Sequence, residues 1–143
     1  MEISLDYIAG FFDGEGSIGI YKNSNKKNPG FFLRTQLTQN KNKTTTGLMT
    51  VLKNRYGGNV SEQKTLSGRI KYNWQLNSTK AVVFLHELLP CLILKKDQAM
   101  IAVDWQMKRP LIVRDKRGRI SLKSPKDLKE DKRVSMLLKK LKK

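Results

Sequence analysis

The sequence predicts an α+β domain: an αββαββα core, an antiparallel sheet with helices on one face, and a C-terminal basic helical region. Three observations carry this reading. Two stretches of alternating apolar and polar residues each fold back at a turn signal, which marks two hairpins. Between and after them, apolar residues recur at helical spacing. The chain has 143 residues, enough for one buried core and too few for two full domains. We therefore expect a single domain over 1–143, with a core at about 4–110 and a basic extension at about 111–143.

The first helix is expected from Leu5 to about Gly14, with Ser4 as N-cap and Asp6 in the first turn. Leu5, Ile8, Ala9 and Phe12 mark its apolar face. Gly10 and Gly14 sit four apart on one face, and each costs a helix about 1 kcal/mol. Close approach of another backbone is the usual reason for such a cost. A strand over Ser17–Lys22 and one over Phe31–Thr38 form the first hairpin, joined by a polar loop that ends in Pro29-Gly30. Thr44, Thr45 and Thr46 are expected to cap a second helix that runs to Tyr56 and stops at Gly57-Gly58. Val60–Leu66 and Arg69–Asn77 flank Ser67-Gly68 as a second hairpin. In its second arm Ile70, Tyr72, Trp74 and Leu76 alternate with polar residues. Ser78 is expected to cap a third helix over Thr79–Leu89, ended by Pro90. A fourth helix spans about Lys96–Met107, ended by Pro110. Ile112-Val113 and Ile120-Ser121-Leu122 flank a basic turn. Ser124-Pro125 then opens a last helix that carries Leu128, Val134, Leu137, Leu138 and Leu141.

Charge narrows the partners. The formal net charge is +17, and 15 of the 29 basic residues fall in 101–143. A folding sequence this basic usually meets a polyanion, with nucleic acid the first candidate. The outward positions of the second and fourth strands carry Arg, Lys, Asn, Gln and Thr and no acid. Those are the types that hydrogen-bond base edges in a major groove, whereas an ordinary solvent-facing sheet would carry glutamates as well. One cysteine, Cys91, and one histidine, His86, exclude an internal disulfide and a structural Cys/His zinc site. No apolar run approaches the roughly 20 residues that span a bilayer, so no membrane partner is expected. The first residues, Met1-Glu2-Ile3-Ser4-Leu5, lack a signal-peptide pattern, and we expect a reducing interior.

The chemistry centres on Ile8-Ala9-Gly10-Phe11-Phe12-Asp13-Gly14-Glu15-Gly16. A carboxylate at a helix C-terminus stands in an unfavourable field. Placed so in a strongly basic protein, Glu15 suggests that a cation joins it, and hard divalent cations share carboxylate and phosphate oxygens. Half of an EF-hand is excluded: the sixth and twelfth positions from Asp13 are Ile18 and Ser24, where glycine and glutamate are required.

This segment resembles the nine-residue signature of the LAGLIDADG homing endonucleases, with four identities (Ala9, Gly10, Asp13 and Gly16). The order of helices and hairpins is also similar. Leu33–Lys43 and Leu89–Ala99 resemble further family segments, so the resemblance covers about 4–110. It implies an antiparallel saddle sheet that binds DNA. It also implies that Glu15 is catalytic and, with Gly14, holds Mg2+ or another divalent cation such as Mn2+. Gln39, Lys43 and Lys95 match positions around the family's active centre, and Asp13 matches the other motif acid. The single signature copy implies a homodimer whose signature helices meet through Ala9, Gly10, Asp13 and Gly14. Expected DNA contacts are Gly19, Tyr21, Asn23, Phe32, Arg34, Gln36, Thr38, Asn59, Ser61, Gln63, Arg69, Lys71, Asn73 and Gln75.

The expected activity is metal-dependent double-strand cleavage of a long, near-palindromic DNA site. A seven-residue strand at about 3.3 Å per residue spans about seven base pairs, so a dimer, with its loops added, would read on the order of 20. The alternatives are an intron-splicing cofactor (maturase) that binds its own intron RNA, and a non-cleaving DNA-binding regulator, which Glu15 argues against. The resemblance implies an intron-encoded protein in bacterial cytoplasm or in a chloroplast or mitochondrion.

Overall fold

The computed structural model describes residues 2–24, 27, 30–109 and 125–142. Helix α1 (Leu5–Glu15) leads directly into strand β1 (Gly16–Lys22), which pairs with β2 (Phe31–Asn40). Helix α2 (Lys43–Tyr56) leads to β3 (Asn59–Lys64) and β4 (Ile70–Asn77). Helix α3 (Thr79–Leu88), a 3-10 turn (Leu89–Cys91), α4 (Lys96–Met107) and α5 (Pro125–Leu141) follow. The four strands form one antiparallel sheet in the order β1-β2-β4-β3. The expected α+β class and helix–hairpin order hold.

The sheet alternates by face. Ile18, Ile20, Leu33, Leu37, Trp74 and Leu76 are buried together with Ile8 and Phe12 of α1 and Phe84 and Leu85 of α3. Phe84 meets Phe12 and Trp74 edge-on, at 5.2 Å between ring centroids in each pair. Gly16 is fixed by this packing, because a Cβ there would strike the Phe12 ring. That close fit lets a helix turn into a strand without a linker. Burying a side chain of this size contributes about 1.5–3 kcal/mol, so these rings hold α1 and α3 on the sheet.

Several local expectations give way to other chemistry. The cap of α2 is Asn42, which accepts from the Thr45 N–H at 2.9 Å while the Thr45 hydroxyl accepts from the Asn42 N–H at 2.9 Å. Asparagine fits this reciprocal cap as well as threonine does, and it lies one residue before the helix. Ser78 makes no side-chain cap. Its backbone is at φ 51°, and its N–H donates to the Leu33 carbonyl at 2.8 Å, so tertiary pairing overrides the cap. The second hairpin closes earlier than expected, through Thr65 N–H to the Arg69 carbonyl at 2.8 Å. Arg69 therefore belongs to the turn and not to β4. Ile70, at the strand end, is 40% exposed.

Helix α5 is part of the core. It packs on β1, β2 and α4, with Val134 and Leu138 buried. The Ser135 hydroxyl donates to the Ile20 carbonyl at 2.5 Å, and Trp105 Nε1 donates to Asp131 Oδ1 at 3.0 Å. Asp131, Val134, Ser135 and Leu138 recur at helical spacing along one side of α5, so the lysines are left on the solvent side. Arg109 donates to the Phe31 carbonyl and lies over the Trp105 ring, 4.5 Å from its centroid. Burial draws its pKa below the usual guanidinium value, and Asp131 opposes that. The expected features of 110–124, including the basic turn and the Ser124 cap, lie outside the described residues.

Candidate nucleic-acid interface and active site

The strand register places the polar residues in rows across the sheet's outer face. Tyr21 stands opposite Phe32, and Gly19 opposite Arg34, which in turn stands opposite Asn77. Gln36 faces Gln75, which faces Asn59. Thr38, Asn73 and Ser61 make the next row, and Lys71 with Gln63 the one after. Thus the expected contacts on strands share one face. Asn23 lies beyond β1 and binds the Gly30 N–H through its side chain at 3.2 Å.

These side chains hold one another. Arg34 donates to Asn77 at 3.0 Å, and its guanidinium lies 4.9 Å from the Phe32 centroid and 5.8 Å from that of Tyr21. A Cβ at Gly19 would come within 2.7 Å of the Tyr21 ring, so the absent side chain lets that ring lie down on the sheet. Lys142, just past α5, sits 5.9 Å from the Tyr21 ring centre. The end of α5 thereby joins the border of this surface. Asn73 is buried at 4% exposure, so it supports its neighbours and does not reach outward as expected.

At one end of the sheet the signature helix delivers its acids. Gly16 pairs with Leu37, so Glu15 and Gln39 come to the same end of β1 and β2. Lys43 opens α2 there and is exposed. Gln39 is half-buried opposite Tyr72. Glu15 is exposed, and among the described residues its carboxylate has no hydrogen bond or ion pair. Asp13 is the opposite case. It is 7% exposed and accepts from three backbone N–H groups: Ile93 at 2.7 Å, Leu94 at 3.2 Å and Lys95 at 3.0 Å. The Lys95 ammonium donates to the Asp13 carbonyl. Asp13 is thus a clamp that carries Lys95 to the end of α1, where the ammonium also offsets the negative end of the helix dipole.

The remaining side of α1 is open. Tyr7 is 55% exposed and stacks on Phe11 at 6.2 Å. A Cβ added at Gly10 or Gly14 would meet nothing within 4 Å. Nothing among the described residues requires these two glycines. Ala9 and Asp13, expected with them at a dimer face, point into the chain's own core, because positions 8, 9, 12 and 13 share the buried side of the helix.

A carboxylate without a partner among the described residues at the end of α1, Lys95 held to the same helix end, and an acid-free outer sheet mark a candidate nucleic-acid-binding site on an α+β domain. Residues 8–99 match the model of the LAGLIDADG endonucleases, and the chain belongs to that family. No curated protein matches it. In fold it is similar to I-CvuI, solved with the I-CreI target and Mg, at TM-score 0.74 and 22% identity over 96% of this chain and 80% of that one. The archaeal intron-encoded I-Vdi141I, complexed with DNA, gives TM-score 0.68 and 17% identity over 96% and 82%. I-GzeII with its DNA target gives 0.61 and 19% over 75% of this chain and 36% of that longer one.

Proposed function

We propose that the chain is a homing endonuclease. Two copies pack their signature helices together and cut both strands of a long, near-palindromic duplex with the help of a divalent cation. The observation that carries this reading is the end of α1, where an exposed, uncommitted Glu15 sits beside an open Gly10/Gly14 face. Among the described residues no group of three His, Cys, Asp or Glu could hold a metal ion alone. One carboxylate suits a hard cation that takes its other ligands from backbone carbonyl, phosphate and water oxygens. Glu15 and the Gly14 carbonyl would hold it, and a bound cation supplies charge neutralisation and water activation for phosphodiester hydrolysis.

The chain's own residues do the rest. Lys95, carried in by Asp13, and Lys43 set positive charge against the phosphate. Gln39 offers an amide that can orient water. The outer sheet reads base edges, and Arg34 has an acid-free surface from which to do so. The gene's setting is an intron, in bacterial cytoplasm or in an organelle.

Assembly is tested at Gly10. Gly10→Leu has room within the chain and gains helix propensity, so the variant should fold. A leucine on the open face should keep two helices apart. Light scattering should report a dimer for the wild type and a monomer for the variant, with cleavage lost. A variant that stays dimeric would move the dimer face elsewhere. Splicing assays on the intron RNA, run beside Mg2+ cleavage assays, separate a maturase from a nuclease.

The basic surface of α5 should act without regard to sequence. Because Val134 and Leu138 belong to the core, deleting the helix would test folding, so point changes are needed. Replacing Lys139, Lys140 and Lys142 with alanine should weaken binding to all duplexes alike. If all three neutralise phosphates, the slope of log K against log salt should flatten by about 2.7. A changed base preference with an unchanged slope would overturn this assignment.

A further inference from the structure

Hydrogen bonds cross three strands at the centre of the outer sheet. Gln36 Oε1 accepts from Asn73 Nδ2 at 3.3 Å and from Gln75 Nε2 at 3.2 Å. Its Nε2 lies 3.5 Å from the Tyr21 hydroxyl, and the Thr38 hydroxyl donates to Asn73 Oδ1 at 3.4 Å. Asn73 is buried beneath these neighbours, while Gln36 and Gln75 are half-exposed. The linkage survives a concerted turn of the three amides. If all three are turned over, one end of Gln36 is still shared by Asn73 and Gln75. A glutamine that reads a base with both ends of its amide needs both ends free, and here one end is already engaged twice.

We infer that Asn73 is a positioning residue and that Gln36 and Gln75 read DNA as one unit, so the base preferences beneath them are coupled. Asn73 holds Gln36, and Gln36 holds Gln75. Loss of one member releases the others to adopt new hydrogen-bond pairings. The inference rests on the DNA-reading function proposed above, and it concerns how the face reads.

The test is a selection from a randomised duplex pool by the full chain, with Ca2+ replacing Mg2+ to prevent cutting, followed by titrations of the recovered duplex. Gln36→Leu, Gln75→Leu and their double variant are titrated against that duplex and its single-base-pair variants. Each single change should alter preference at more than one base pair. Together they should depart from multiplicative behaviour by at least about threefold. Gln63→Leu, whose side chain makes no hydrogen bond among the described residues, should multiply simply with Gln36→Leu. Asn73→Ala should shift preference at the same base pairs as Gln36→Leu, whereas a merely structural role would weaken all duplexes equally. If that variant does not fold, the glutamine cycle still decides the coupling. Enrichment by the wild type with independent glutamine effects would overturn the coupling alone. No enrichment at all would overturn the DNA-reading function and the coupling with it.

Discussion

Glu15→Gln should lower cleavage by several orders of magnitude while DNA binding stays within about tenfold of wild type, a shift of about 1.4 kcal/mol. Glutamine keeps the size and hydrogen-bonding outline of the side chain and removes its charge. Glu15 is exposed and makes no side-chain hydrogen bond or ion pair among the described residues, so the fold does not depend on that charge. The proposed recognition surface lies on β1–β4, and the basic border on α5 is untouched. On the proposed mechanism, only the hold on a divalent cation would be lost, and with it the charge neutralisation needed at the phosphodiester. Binding could even tighten, since one fewer carboxylate repels the phosphates. Gel-shift titration and a Mg2+ time course on one duplex measure both effects. Near-normal cutting would remove Glu15 from the reaction, and loss of both binding and cutting would give it a structural role.

Asp13→Ala should act through stability. Three backbone N–H groups donate to this one carboxylate, in a site only 7% exposed. Alanine leaves all three without an acceptor. Each hydrogen bond to a charged group contributes about 1.5–3 kcal/mol, and their losses overlap, so we expect a cost of about 3–5 kcal/mol. Asp13→Asn keeps one good acceptor oxygen and should cost about half as much. Urea unfolding measures both changes. In the Asp13→Asn variant, which should remain folded, cleavage should also fall, because the segment that carries Lys95 is held less firmly. Unchanged stability and activity in Asp13→Asn would mean that the clamp is dispensable.

The contrast between these two acids shows what the sequence could and could not convey. Alternation in 31–38 and 70–76 placed the sheet's two faces, because a period of two leaves no choice of side once Leu33 and Trp74 are buried. The glycine pair at 10 and 14 marks a helix face that the described chain leaves open, since a Cβ at either position meets nothing within 4 Å. Both signals are local. The Asp13 clamp joins residues 80 or more positions apart, and no spacing within the motif foretells its partner. Asn73 belongs to the polar alternation like its neighbours, and only the packing of β2 against β4 reveals that it is covered. The burial of α5 was within reach, since Asp131, Val134, Ser135 and Leu138 recur at helical spacing. Which element that stripe covers depends on contacts such as Ser135 to Ile20, 115 positions away, that no local spacing conveys.

The bond from Ser135 to the Ile20 carbonyl spans 115 positions, which has a consequence for the order of events during synthesis. One of the helices that covers strand β1 emerges more than a hundred residues after it. Contacts this distant slow folding, because a long loop must close before they stabilise anything. Until α5 arrives, Ile18 and Ile20 lack part of their cover, and the nascent chain carries an apolar surface that invites association with other chains. Strand β1, at one edge of the sheet, is therefore secured only once α5 has packed on it.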